Sequence, residues 1–379
     1  MRIAMVGHKR VPSHEGGIEV VVEELSTRMV KLGHSVTCYN RSGHHVSGKE
    51  FDQAALKEYK GVRLVHVPTI DIKGLAAASS SFWGCLFAAF GPYDVVHVHA
   101  EGPAVFCWLP RLMGKRVILT IHGLDWARNK WKGGFGSWYI HLGEKIGARF
   151  AHELIVLNPG TKKYFKDTYN REAHYIPNGI SPTTIREPDL ITKKFGLTKR
   201  SYILYLGRIV PEKGCMYLCE AYHRLNTDVK LVFAGGSSDS SEYMEELKKY
   251  AAPNKNIIFT GFVDGELRDE LYSNAFLFVL PSELEGMPLC LLEAMRYGNC
   301  VLTSDIPECT NVVRGAGLTF KSQNVNDLER MLRYALSHPN FIRIYREIAA
   351  EYCEHYFDWD DVVQQTLKVY RGEADPNRR

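Results

Sequence analysis

Long hydrophobic runs are missing from the 379 residues. The most apolar stretch, Leu75 to Phe90, is interrupted by Ser79, Ser80, Ser81 and Gly84. It is shorter than the about 20 residues that span a bilayer, so it reads as a buried or interfacial helix. The opening MRIAMVGHKR offers only Ile3 to Val6 as an apolar run. A secretory leader needs roughly 7–15 apolar residues, so a cytoplasmic protein is expected. Charge of one sign is scarce too. Lys and Arg number 47 against 43 Asp and Glu, and the resulting +4 is too small to argue for nucleic acid. The nine cysteines are odd in number and scattered. Cys215 and Cys219 lie one helical turn apart with no second ligand pair near them, which leaves reduced, mostly buried thiols as the reading. No G-x-G-x-x-G follows the first strand and no G-x-x-x-x-G-K-[ST] occurs, which disfavours a conventional dinucleotide site and a P-loop ATPase.

What is present is an ordinary globular composition, 45% hydrophobic and 24% charged. At about 150 residues per domain the length predicts two domains. Their charge differs: residues 1–178 hold 23 basic and 15 acidic side chains, and residues 179–379 hold 24 and 28. The basic half suits an anionic surface such as a membrane, although scattered surface charge gives the same count. Strands are predicted at Arg2–Val6, Ser35–Tyr39, Val62–Val67, Val95–Val98, Val117–Ile121 and Leu154–Leu157, with helical spacing over Val20–Leu32. The pattern restarts at Tyr202–Leu206, with a helix near Met216–Leu225. Strands follow at Lys230–Ala234, Ile257–Thr260, Phe276–Leu280 and Cys300–Thr303. Strand–helix alternation predicts an α/β protein of two doubly wound parallel sheets, residues 1–178 and 179–354, joined at Ile176-Pro177-Asn178-Gly179-Ile180. Ligands of such sheets bind beyond the carboxyl ends of the strands, so a cleft between the domains is the expected site.

Four segments after strands carry chemistry. Gly16-Gly17, ahead of a helix, lets backbone amides approach a phosphate, or simply makes a tight turn. His122 directly follows the strand ending at Ile121 and precedes Gly123, where it contacts a sugar hydroxyl or a carbonyl, or serves structure alone. Gly207-Arg208-Ile209-Val210-Pro211-Glu212-Lys213-Gly214 sets two cations five residues apart in a glycine-flanked loop, suited to grip a diphosphate and stabilise it as a leaving group. The most specific is Pro281 to Met295. There Glu285 precedes a helix and Glu293 follows eight residues later, with the amides from Gly286 through Met287 and Leu289 to Cys290 placed to hold a phosphate. Carboxylates beside a phosphate site make sense when neutral hydroxyls flank the phosphates, as in a nucleotide sugar.

The Glu-x7-Glu segment, the Gly-Arg-x-x-x-Glu-Lys-Gly loop, His122 and the Ile-Pro-Asn-Gly linker together resemble glycosyltransferase family 4, retaining enzymes of the GT-B fold. The resemblance extends over about residues 1–370. The opening Arg10-Val11-Pro12 with Gly16-Gly17-Ile18-Glu19 is similar to a bacterial subgroup that includes rhamnosyltransferases of capsule and exopolysaccharide assembly. The resemblance implies two Rossmann-like domains and a nucleotide-diphospho-sugar donor with a UDP, dTDP or GDP base. It implies a glycan or lipid-diphosphate-linked acceptor, and no metal or other cofactor. Carried over, Arg208 and Lys213 bind the diphosphate, Glu293 the ribose and Glu285 the donor sugar. His122 lines the reaction centre, Gly16 and Gly17 close over the phosphates, and Phe262 meets the base. A last helix, about 355–372, crosses back onto the first domain. Pro288 departs from the glycine common in the family, so phosphate contacts there fall to Leu289 and Cys290.

The segment Trp126–Lys145 interleaves aromatics with Arg128, Lys130, Trp131 and Lys132, as at a membrane interface, or else packs its tryptophans inward. The expected location is therefore the cytoplasm, with peripheral attachment to the inner face of the plasma membrane as an option. Two rival functions share the nucleotide pocket: hydrolysis or epimerisation of a nucleotide sugar, and a non-catalytic binding scaffold.

Overall fold

The computed structural model describes residues 1–13, 16–43, 56–72, 74–127, 134–236 and 241–376. They form two compact units. The first is Met1–Gly179 together with Trp359–Arg379, and the second is Ile180–Asp358.

In the first unit the strands are β1 (Arg2–Val6), β2 (Ser35–Arg41), β3 (Glu58–Tyr59), β4 (Val62–Val67), β5 (Val95–His99), β6 (Arg116–Ile121), β7 (Glu153–Val156) and β8 (His174–Tyr175). They make one sheet in the order β3-β4-β2-β1-β5-β6-β7-β8, parallel except where β3 meets β4. Between them run α1 (Gly17–Lys31), α2 (Leu75–Phe90), α3 (Glu101–Ala104), α4 (Trp108–Leu112), α5 (Gly134–Phe150) and α6 (Pro159–Tyr169). Strands β1 and β5 are almost wholly buried, so β1 reads as an apolar run from Ile3 to Val6, while β5 buries His97 and His99 among its valines. Helix α1 starts three residues ahead of the predicted Val20, because Gly16 in extended conformation serves as its N-cap. A Cβ on Gly16 would lie 2.7 Å from Glu19 Oε2, so this position favours glycine for closeness and not for an unusual φ.

The second unit runs α7 (Leu190–Phe195), β9 (Tyr202–Leu206), α8 (Cys215–His223), β10 (Lys230–Ala234), α9 (Ser241–Ala251), β11 (Ile257–Gly261), α10 (Gly265–Asn274) and β12 (Leu277–Leu280). It continues with α11 (Leu289–Arg296), β13 (Val301–Ser304), α12 (Pro307–Val313), β14 (Leu318–Phe320), α13 (Val325–Ser337) and α14 (Pro339–Tyr356). Its sheet, β11-β10-β9-β12-β13-β14, is parallel throughout. Its core includes Leu204, Phe233, Phe278 and Leu302, all without exposure.

The chain ends in α15 (Trp359–Arg371), which belongs to the first unit and packs on α1. It starts four residues later than position 355, since α14 continues to Tyr356. Asp360 and Asp361 occupy its first turn, where acids oppose the helix dipole, and Arg28 of α1 lies 3.4 Å from Asp360. Trp359 is buried against Gly179, where a Cβ would sit 2.7 Å from the Trp359 Cα. All nine cysteines are free, and eight are buried. No helix among the described residues is long and apolar enough to cross a membrane.

Candidate functional site

Each sheet has one point where the strand order turns back. In the second unit it lies between β9 and β12. The loops after these two strands flank the place where open α/β sheets bind ligands. They are the Gly207–Gly214 loop and the Pro281–Pro288 loop, and they touch backbone to backbone. Gly214 has φ +66, and a Cβ there would lie 2.1 Å from Pro281 O. The Glu283 amide donates to Glu212 O at 2.9 Å. Gly235, with φ +140, lets the β10 loop come equally close, 1.9 Å from Gly207 O to a notional Cβ.

This contact brings together two residues 72 positions apart. Lys213 Nζ forms a short ion pair with Glu285 Oε1, with side-chain exposures of 13% and 7%. Ser282 Oγ donates to the same oxygen at 2.7 Å, and Ser304 Oγ fixes the Ser282 carbonyl at 2.5 Å. The lysine thus spends one of its three donors on Glu285 and has two left for an anion. Arg208 is half-buried, and its carbonyl accepts the Tyr205 hydroxyl at 2.6 Å. Pro288 is the N-cap of α11 and supplies no side-chain cap, so the first-turn amides of Leu289 and Cys290 have none from that residue. Burial pushes the Cys290 thiol up to about 12, which removes it as a nucleophile and leaves its backbone as the useful part. Gly286 and Met287 lie in the loop between, and Phe262 follows β11 with 37% exposure. Glu293 lies in α11, where the Tyr272 hydroxyl donates to its Oε2 at 2.9 Å. Sequence reasoning missed Ser282, Tyr272 and Arg268. The last two stand four apart on α10, a spacing that places them on one helix face.

In the first unit the order turns back between β1 and β5. The loop after β1 leads to Gly16-Gly17 and is braced by side chains. The Lys9 amide donates to Glu19 Oε1 at 2.9 Å, and His8 Nε2 meets Asn40 Oδ1 at 3.0 Å. His122 follows β6, and its Nε2 lies 3.0 Å from His99 Nδ1. His97, two residues before His99 and so on the same strand face, lies 2.6 Å from both Thr120 Oγ1 and Tyr370 Oη. Burial lowers His8 to about 4 and His97 to about 3 and carries His99 well below its ordinary value, so all three are neutral at pH 7. The alternation His97-Val98-His99 was the sequence signal for this row. Beneath the loop after His122 lie two fully buried acids. Glu101 Oε2 accepts the Asp125 amide at 2.8 Å, and Glu144 accepts from Trp126 Nε1 at 3.1 Å, Tyr164 at 3.1 Å and Tyr169 at 2.9 Å. Burial first, then Asp125 and Glu144, push the Glu101 carboxyl well above the carboxylate range, which favours its neutral form. Arg128, Lys130, Trp131 and Lys132 lie outside the described residues. Among the described residues no group of three or more His, Cys, Asp or Glu is arranged to hold a metal.

Residues 15–184 match the model of the Glycosyltransferase Family 4 domain, and residues 189–352 that of Glycosyl transferases group 1. With the two Rossmann-like sheets these define a glycosyltransferase of the GT-B type. The two matches follow one another along the chain, the family 4 model on the first unit and the group 1 model on the second. It is 26% identical to alpha-maltose-1-phosphate synthase of Mycolicibacterium smegmatis, over 98% of this chain and 99% of that one. It resembles the structure of sucrose-phosphate synthase from Thermosynechococcus elongatus, with TM-score 0.81, 20% identity and 98% of each chain covered. It also resembles the Anabaena HepE protein in complex with UDP-glucose, with TM-score 0.79, 15% identity, and 98% and 100% covered.

Proposed function

We propose that the protein transfers a sugar, with retention at the anomeric carbon, from a nucleotide-diphospho-sugar to a hydroxyl of a glycan or lipid-diphosphate-linked acceptor. Rhamnose or another hexose, carried on UDP, dTDP or GDP, is the donor sugar, and capsule or exopolysaccharide assembly is the setting. The observation that carries the reading is the Lys213–Glu285 pair at the turning point of the second sheet. A nearly buried cation and carboxylate, side by side, match a ligand that is anionic at its diphosphate and neutral at its sugar.

In this reading Arg208 and Lys213 answer the charge that grows on the departing phosphate. Glu285 accepts hydrogen bonds from sugar hydroxyls, and Glu293 from the ribose. The first-turn amides of Leu289 and Cys290 meet phosphate oxygens. Phe262 offers its ring to the base, and His122 with Gly16-Gly17 is the first unit's contribution. The acceptor hydroxyl attacks from the face the nucleotide leaves, and the departing phosphate takes its proton. The bond from sugar to phosphate breaks as the bond from sugar to acceptor forms. No metal or other cofactor is needed, because the side-chain cations supply the charge. A glycosyl group trapped covalently on Glu285 would overturn this front-face route.

Cytoplasmic location with peripheral attachment to an anionic membrane belongs to the same reading. Its support is the first unit's outer helices. Helix α2 has no charged residue and exposes Phe82, Phe87 and Phe90, and α5 exposes Phe135 and Trp138 beside Lys145 and Arg149.

The test is calorimetry with UDP, GDP and dTDP in EDTA, on the wild type and on Lys213→Ala. Binding of one nucleotide that the variant loses is the expected result. Binding of none, or equal binding by both proteins, overturns the pocket assignment.

A further inference from the structure

The proposed donor site leaves one buried hydroxyl without a role. Tyr272 has no exposure, and its hydroxyl reaches Glu293 Oε2 at 2.9 Å, while the nearest backbone alternative, Cys290 O, is 3.5 Å away. A buried tyrosine needs an acceptor, and this one uses a carboxylate. Its ring and backbone are both held. It stacks on Tyr297 with centroids 5.1 Å apart and planes at 14°, and Tyr297 donates to Asp269 Oδ1 at 2.6 Å. Asn299 Nδ2 donates to the Tyr272 carbonyl at 2.9 Å. Asp269 and Tyr272 belong to α10; Glu293 lies in α11 and Tyr297 is its C-cap, four residues on. The two helices therefore meet as paired rungs, one of which ends on Glu293.

Arg268 reinforces that rung. Burial works against its charge, yet Glu293, followed by Tyr272 and Asp264, holds the guanidinium above its ordinary value. Burial and then Glu293 keep the Tyr272 hydroxyl well above its ordinary value, so it is a permanent donor. A glutamate on a helix surface ordinarily samples several rotamers, and ordering it on ligand binding costs affinity. Here the Tyr272 hydroxyl, from another helix, holds it beforehand.

We propose that Tyr272, helped by Arg268, is a positioning residue that sets the Glu293 carboxylate in place for the ribose hydroxyls of a nucleoside diphosphate. This rests on the reading of Glu293 as the ribose contact. Its signature is selective: Tyr272 matters only to ligands that carry those hydroxyls.

The experiment is calorimetry with UDP, GDP and dTDP, each beside its 2′,3′-dideoxy form, on the wild type, Tyr272→Phe, Arg268→Gln and Glu293→Gln. Phenylalanine keeps the stack on Tyr297, so folding is preserved. Tyr272→Phe is expected to weaken the hydroxyl-bearing nucleotide about threefold to tenfold and its dideoxy form by less than about twofold. Glu293→Gln is expected to show the same selectivity with a larger loss. If Glu293→Gln is selective but Tyr272→Phe and Arg268→Gln are not, the positioning role is wrong and the ribose assignment stands. Equal losses of both forms in Tyr272→Phe mean a structural residue only, which also overturns the proposal. If Glu293→Gln leaves affinity unchanged, or the wild type binds none of the three, the ribose reading fails and the proposal falls with it.

Discussion

The two turning points of this molecule are built from opposite materials. In the second unit the loops after β9 and β12 hold charge, Lys213 against Glu285, and the helices on either side of β12 in the chain add Arg268, whose charge Glu293 favours. In the first unit the loops after β5 and β6 rest on groups that burial keeps uncharged: His97, His99 and the protonated Glu101. One fold type thus supports a site of charges and a site of suppressed charges. The first kind depends on partners and the second on pH. The chain provides a convenient reporter, because all six tryptophans fall within the first unit, and their fluorescence follows that unit alone.

The largest expected effect breaks the charged side. Lys213→Ala strands a nearly buried Glu285, and removing one partner of such a pair costs about 3–5 kcal/mol of folding stability, read as a lowered urea midpoint, while nucleotide binding is lost separately with the cation. Glu285→Gln is expected to restore part of the double variant's stability, and a urea midpoint no higher in the double than in Lys213→Ala would deny the stranded charge. Acidification breaks the other side. His8, His97 and His99 bind protons more readily unfolded than folded, so the unfolded chain gains protons as pH falls below 6.5 and stability is lost. Between pH 6.5 and 5 each contributes up to about 2 kcal/mol. Tryptophan fluorescence should report thermal unfolding at a markedly lower temperature at pH 5 than at pH 7. The histidines of the second unit, His223, His338 and His355, are not buried.

Glu101 sharpens the contrast with the reverse sign. Its folded form binds a proton more tightly than the unfolded chain, so stability falls as pH rises above the ordinary 4.5 toward its raised value. Glu101→Gln removes that slope, and Glu101→Ala costs about 1–3 kcal/mol by leaving the Asp125 amide unpaired. Urea midpoints followed from pH 4.5 upward separate the two, and identical slopes in wild type and Glu101→Gln would refute the raised carboxyl. The smallest effect concerns the surface: Phe90→Ser with Lys145→Glu should weaken co-sedimentation with phosphatidylglycerol vesicles by a few-fold, each charge being worth about 1 kcal/mol. Unchanged sedimentation would count against membrane docking.

Much of this was legible in the chain. The long strands announced themselves by their apolar residues, although β4 alternates buried and exposed positions and β11 is only half-buried, and the two loops after Leu206 and Leu280 were readable because binding loops follow strands. Strands β3, β8 and β14 were not readable, since two or three residues carry no period. Individual site residues could be named from loops, but not their partners. Lys213 meets Glu285 only because β9 and β12 are neighbours in the sheet, and Tyr272 meets Glu293 only because α10 and α11 flank β12. His99 meets His122 through the register that pairs His99 with Thr120. Such pairings belong to the sheet and are absent from any window of sequence.

Gly179 and Trp359, in contact across 180 positions, also govern how the chain is made. A ribosome adding about 5–20 residues each second releases the first unit's sheet some ten to forty seconds before the helix that completes it. Residues 180–358 emerge meanwhile with every strand of their own sheet. Of the two units, the one whose sheet is made first is therefore the later to be finished, and until α15 arrives the hydroxyl of Tyr370 is missing from His97.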